Sequence, residues 1–307
     1  MTEVTASMVK ELREKSGAGM LDCKKALAEN NGDIDAAMDF LRKKGLASAA
    51  KKSSRAAAEG LVSVAANGNT GVIIELNAET DFVARNDQFQ TFLSQLTDAA
   101  LSTKTGDVEA LKKLQVAGKA AEEGLTELIA NIGENMTLRR SQLLSVSNGV
   151  VATYVHNALQ PNRGKIGVLV ALESTGDADK LGALGRQLAM HIAAARPEAL
   201  TVEELNPETV ARERAVHADK ATQSGKPADI VEKMVEGSMR KYYEQVVLMN
   251  QTYIIDGENK ISAVIEKAAK DIGAPVKLAQ YVRFELGEGV EKAADDFASE
   301  VAKMANG

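Results

Sequence analysis

The sequence predicts an α+β protein, and three observations carry that prediction. The first 45 residues place apolar side chains at helical spacing alone, residues from about 60 onward shorten the period to strand alternation, and a strand, turn and helix pattern recurs at 71–81 and 167–177. A chain of 307 residues with 45% hydrophobic and 26% charged residues can bury real cores and is neither disordered nor collagen-like.

Three short helices open the chain. Thr5 can cap a helix whose Met8, Val9 and Leu12 share a face, and residues 16–19, Ser-Gly-Ala-Gly, stop it. A second helix spans about 20–29 with Cys23, Ala26 and Leu27 inward. It ends at Asn30, Asn31 and Gly32, where Asp33 opens a third helix carrying Ile34, Ala37, Met38 and Leu41. Gly45 stands where that helix should stop. The division is therefore 1–46 for the three-helix module and 47–59 for a basic, small-residue linker that could itself be helical.

Two strands around 61–64 and 71–77 flank Asn67, Gly68 and Asn69, which reads as a β-hairpin. A loop over 78–86 leads to a helix with Phe89, Phe92, Leu93 and Leu96, more helix follows to about Ile132, and strands come at 138–146 and 150–159. The recurrence at 167–177 then suggests two related subdomains, each a small antiparallel sheet with helices on one face, over 60–148 and 149–285. Within the second, 198–245 is charged and helix-periodic, with two helices joined by 223–226, a hairpin inserted in that subdomain or projecting from it. A helix at 261–271 and a strand at 276–285 follow. The end, 286–307, predicts an amphipathic helix with Val290, Ala294, Phe297 and Val301, which closes the sheet or docks on a partner.

Composition also removes functions. Thirty-seven basic against 43 acidic residues give a net charge of −6, with no electrostatic footprint for nucleic acid or an anionic membrane. A single cysteine excludes an intramolecular disulfide framework and multi-cysteine metal sites. The charged N-terminus lacks an apolar signal core and no run of about 18 apolar residues occurs, so a cytoplasmic location is expected. His156, His191 and His217 show no metal-ligand spacing, and no Gly-Lys pair has the frame of a phosphate loop. No enzyme site, cofactor site or metal site is expected, and His191 reads as a helix-face or core residue. Glu75, Glu79 and Asp81 are near one another, but an acid/base role for them lacks a basic or nucleophilic partner in the sequence.

The recurrence supplies its own control. After Asp81 the first copy continues Phe82, Val83, Ala84 and Arg85, whereas after Asp177 the second has Ala178, Asp179 and Lys180. Only the first puts an aromatic ring in that loop, either as an internal anchor or as an interface hot spot.

Two long segments then carry a resemblance. Residues 12–27, LREKSGAGMLDCKKAL, and 75–85, ELNAETDFVAR, are similar to the signature segments of the bacterial translation elongation factor Ts family. The likeness continues at 132–135, 154–156, 225–227, 232–237 and 283–289, essentially the whole chain. It departs at Ala78, where a cysteine or a similar residue is expected, and in the longer turn at 160–164.

The resemblance implies guanine-nucleotide exchange on the GTPase elongation factor Tu, with no chemistry of the factor's own. The first three helices would form a ubiquitin-associated-like domain, and 286–307 a C-terminal module. Thr80, Asp81, Phe82 and Val83 would dislodge Mg²⁺ from the partner. Arg13 and Met20 would touch its GTPase domain, Met20 being equally readable as core, and Ile132, Gly133 and His156 would meet its third domain. The family allows a dimer of the two-protein complex. An adaptor without exchange activity is the competing reading, and it has no need of Phe82 in an exposed loop.

Overall fold

The computed structural model describes residues 4–290. Its order of elements follows from caps and turns already visible in the sequence. Helix α1 (Ala6–Ser16) starts where Thr5 Oγ1 accepts the Met8 amide and stops at Gly17, whose φ of 67° is left-handed. Helix α2 (Met20–Glu29) buries Cys23, Ala26 and Leu27, and α3 (Ile34–Lys52) opens with Asp33 Oδ1 accepting the Ala36 amide. These helices close a small core around Leu12, Cys23, Leu27 and Ala37.

The expected stop at Gly45 does not occur. Helix α3 runs through it to Lys52, so the first half of the predicted linker is helix. Gly45 is buried, and a Cβ there would come within 3.3 Å of the Ala130 Cβ. Close packing on a later helix outweighs the roughly 1 kcal/mol that glycine costs a helix interior relative to alanine.

Strands β1 (Glu59–Asn67) and β2 (Thr70–Ala78) form the predicted hairpin, with Gly68 at φ 57° in its turn. Helix α4 (Asp87–Thr103) follows, and the further helix expected to about Ile132 comes in two pieces. A short α5 (Val108–Lys113) is separated from α6 (Ala121–Ile132) by the two-residue strands β3 (Gln115–Val116) and β4 (Lys119–Ala120). The left-handed pair Ala117 and Gly118, at φ 51° and 83°, turns that tiny hairpin.

Strands β5 (Met136–Ser145), β6 (Gly149–Gln160) and β7 (Arg163–Glu173) precede α7 (Ala178–Ala195), the helical pair α8 (Pro207–Thr222) and α9 (Ala228–Val246), α10 (Ile261–Ile272) and β8 (Lys277–Glu285). The hydrogen-bonded strand order is β5-β2-β1-β7-β6, with β8 also on β7. β6 and β7 pair antiparallel from Gly149 opposite Glu173 to Gln160 opposite Arg163, with an irregularity between Ala158 and Gln160. Helices and antiparallel ladders segregated in this way make an α+β protein.

The described residues divide into two compact units, one of 4–63, 74–141 and 285–290, the other of 64–73 and 142–284. In the first, α6 packs on both α3 and α4, and Phe89, Leu93, Leu96, Leu128 and Ile129 are buried. In the second, Val168, Val170 and Leu172 of β7 meet Leu181, Leu188 and Ile192 of α7 and Ile261 and Ile265 of α10. The α8–α9 pair buries Ala221, Val235 and Met239 and is bridged by Arg214 and Glu236 at 2.8 Å. The helix expected in the last segment, with Ala294, Phe297 and Val301, lies outside the described residues.

Candidate functional site

Strand β2 is buried along its whole length, and it delivers the chain to a loop over 79–86. Both ends of that loop are pinned. At the near end Glu79 Oε1 accepts the Asn135 amide and the Arg55 guanidinium, at 3.3 Å for the latter. Glu134 then takes both donors of Thr80, the amide at 3.0 Å on Oε2 and the hydroxyl at 2.7 Å on Oε1. At the far end Val83 and Ala84 are buried, Gln90 Nε2 donates to the Ala84 carbonyl at 2.8 Å, and Asn86 Oδ1 caps α4 through the Gln88 and Phe89 amides.

Between those anchors Asp81 and Phe82 stand in solvent. The Phe82 ring is 78% exposed, the largest aromatic surface left uncovered among the described residues, so it is not an internal anchor. Val83 fills that role instead. A rigidly held, unsatisfied aromatic is a feature that soluble surfaces seldom keep without a partner.

The second copy shows what this loop adds. There Asp177 caps α7 directly, its Oδ1 accepting the Lys180 amide at 2.9 Å. Its structural counterpart in the first copy is Asn86, the cap of α4, not Asp81 as the aligned residues suggest. Seven residues, 79–85, separate strand from cap in the first copy, against three, 174–176, in the second. The surplus holds Phe82.

Glu75, two turns of the pleat before Glu79, has partners that the sequence reading denied it. Fully buried, it pairs with Arg139 at 2.9 Å and with Arg140, and accepts the Gly287 amide at 2.9 Å. Arg140 also donates to the Glu285 carbonyl at 2.9 Å. Such a carboxylate is held as a structural anion by two guanidiniums and a backbone donor, an arrangement that ties the 285–288 turn to β2 and β5 and leaves no free base.

The other predicted residues fall as follows. Arg13 is exposed on α1, and Met20, the first residue of α2, is 61% exposed and therefore not core. Its neighbour Leu21 is 83% exposed and was not predicted. The tight turn before them is fixed from within, Ala18 donating to Ser16 Oγ at 3.2 Å. Ile132 is half-buried at the end of α6, and Gly133 is its cap at φ 90°, a conformation that favours glycine. The structure thus joins the 80–83 loop to the turn after Gly133 through Glu134, a residue sequence reasoning quoted only within a motif. His156 belongs to the second unit, exposed on β6 opposite Ile166, with its Nδ1 3.2 Å from the Tyr154 hydroxyl.

His191 is core. Nε2 hydrogen-bonds Gln251 Oε1 at 2.9 Å and Nδ1 accepts the Ile254 amide at 3.3 Å, so the neutral ring is fully used, and burial holds its pKa below the ordinary imidazole value against the opposing pull of Gln251. Among the described residues no three His, Cys, Asp or Glu side chains are grouped to hold a metal ion, and no helix is long and apolar enough to cross a membrane. What the loop can do is present a ring and a carboxylate, without conformational search, to a protein surface.

Comparison with known proteins bears on which surface. The family model described as Elongation factor TS matches residues 79–288, from the start of the Phe82 loop to the turn clasped by Arg140. The Elongation factor Ts of Rhodospirillum centenum is 61% identical over 307 residues, covering 99% of this chain and 100% of that one. That of Paramagnetospirillum magneticum is 60% identical, covering 99% and 98%, and that of Rhodospirillum rubrum 57%, covering 98% of each. With the matched region spanning the pinned loop, its Glu134 anchor and residues 142–284 of the second unit, and with full-length relatives at this identity, the chain belongs to the elongation factor Ts family.

Proposed function

We propose that this protein binds elongation factor Tu carrying GDP and accelerates exchange for GTP, using the 80–83 loop to dislodge the partner's Mg²⁺. The reading rests on family membership and, above all, on one observation: Phe82 is solvent-exposed on a loop anchored at both ends.

An exchange factor works by binding the nucleotide-free partner more tightly than the nucleotide-bound one, and linkage requires nucleotide to weaken the factor in return. Each 1.4 kcal/mol of that difference is worth about tenfold. Phe82 wedges between elements of the GTPase near its metal, and Asp81 competes within its hydrogen-bond network. Mg²⁺ neutralises the phosphates, so its loss weakens GDP binding. The factor itself needs no nucleotide site, metal or catalytic group.

In this scheme the helices within 1–46 grip the GTPase domain through Arg13, Met20 and the adjoining Leu21. The core, 60–148 and 149–285, meets the partner's third domain through Ile132, Gly133 and His156. The net charge of −6 suits a protein partner rather than nucleic acid or membrane, in a cytoplasmic setting.

The test is the release rate of fluorescent GDP from purified elongation factor Tu, with and without this protein, at fixed Mg²⁺ and with excess unlabelled GDP. Acceleration by orders of magnitude is expected. Stable complex formation without acceleration would make the protein an adaptor and leave Phe82 unexplained.

A further inference from the structure

We infer that Glu134 is a positioning residue for nucleotide exchange, acting through Thr80 to hold Phe82 in its inserting geometry and to make the loop and the Ile132–Gly133 face move as one body. The inference rests on the reading that the loop drives exchange.

The geometry is a reciprocal clasp between two chain segments. Consecutive residues on one side, Glu79 and Thr80, meet consecutive residues on the other, Glu134 and Asn135. The Glu134 carboxylate accepts both the amide and the hydroxyl of Thr80, at 3.0 and 2.7 Å, while Glu79 Oε1 accepts the Asn135 amide in return. Asn135, itself buried, donates its side-chain amide to the Arg55 carbonyl at 2.7 Å, which fixes the turn from behind. Bonds to an ionised acceptor are the strong ones, and a two-point grip sets orientation as well as distance.

The clasp lies two residues from the exposed ring. Beyond the ring, Val83 and Ala84 are buried and anchored separately. Removing the Glu134 grip therefore moves the near anchor back to Glu79, held by Asn135 and Arg55, and leaves Thr80, Asp81 and Phe82 free to sample orientations that do not insert. Before the clasp comes Gly133, whose left-handed φ of 90° lets α6 end abruptly enough to put Glu134 under Thr80. Two surfaces that touch different parts of a partner are thereby coupled by one carboxylate, and the benefit is preorganisation.

Positioning differs from contact in what it changes. Glu134→Ala should lower the maximal rate of GDP release at saturating factor at least about fivefold while moving the half-saturating concentration less than about twofold, because other surfaces still dock. Glu134→Gln, which keeps one acceptor oxygen, should fall between. Thr80→Val, which removes only the hydroxyl donor, should slow release in the same sense and guards against misfolding of the alanine variant. Hydrogen exchange at the Thr80 amide should speed up in the alanine variant.

A double-mutant cycle with Phe82→Ala decides the mechanism. If Glu134 works through the ring, its removal costs little once the ring is gone. An unchanged maximal rate in Glu134→Ala, or an equal slowing in both backgrounds, overturns the positioning role. Failure of the unaltered protein to accelerate release at all is a different result, and it removes the exchange reading before any variant is compared.

Discussion

Truncating Phe82 to alanine isolates the ring from the fold. A phenylalanine side chain buries roughly 150–250 Å² when covered. With 78% of it in solvent, about 150 Å² is available to a partner. At about 25 cal/mol per Å² that surface represents close to 4 kcal/mol of gross apolar burial. Only the part realised after the nucleotide begins to leave accelerates release, and a third of it already corresponds to about tenfold. Phe82→Ala should therefore cut the exchange rate at least about tenfold in stopped-flow release of fluorescent GDP. The same variant should change unfolding stability by no more than about 0.5 kcal/mol in urea titration, since the ring contributes little to the core. An unaltered exchange rate with an unaltered fold would refute the wedge. A stability loss of several kcal/mol would refute the placement of the ring.

The remaining predictions address other parts of the molecule. His156→Ala should weaken association with elongation factor Tu more than it slows release at saturation, as read by calorimetric titration beside the kinetic assay; unchanged affinity removes His156 from the interface. Glu75→Ala should cost about 3 kcal/mol, because it leaves Arg139 and Arg140 without their buried counter-ion. A shift in the urea midpoint worth under about 1 kcal/mol would mean that both guanidiniums rehydrate freely. His191 has its folded pKa lowered from 6.5 by burial, so the unfolded chain takes up its proton first as pH falls. Stability should be unaffected by this group above about pH 7, decline as pH drops below 6.5, and level off once the folded ring also titrates. Urea midpoints at a series of pH values should show that component in the unaltered protein and lack it in His191→Gln, and the same slope in both would assign it elsewhere.

The local half of this structure could be read from neighbouring residues. Thr5, Asp33 and Asn67-Gly68 act within four residues of themselves, so capping and turn chemistry place the starts of α1 and α3 and the turn of the first hairpin. What failed depended on distant partners. Gly45 carries a helix-stop signal, but α6, some 80 residues on, supplies the packing that overrides it. Glu75 looked isolated because Arg139 and Arg140 lie on another strand. Spacing left open whether Phe82 was anchor or contact, since the choice is made by Val83 and Ala84 turning inward in the following 3₁₀ turn. The motif around residues 75–85 marked the loop, while the residue that holds it, Glu134, stands 54 positions from Thr80 in the segment 132–135, where the resemblance marks the residues but nothing local announces the contact.

The burial of Cys23 has a practical consequence. Its thiol is sealed in the three-helix core, and it is the chain's single cysteine. A maleimide dye therefore has nothing to attack on the native protein. One cysteine installed at an exposed site, such as Leu21 beside Met20, would accept the dye alone. No tryptophan competes in the optical background either. The protein arrives, in effect, already silenced for single-molecule distance measurements against a labelled partner.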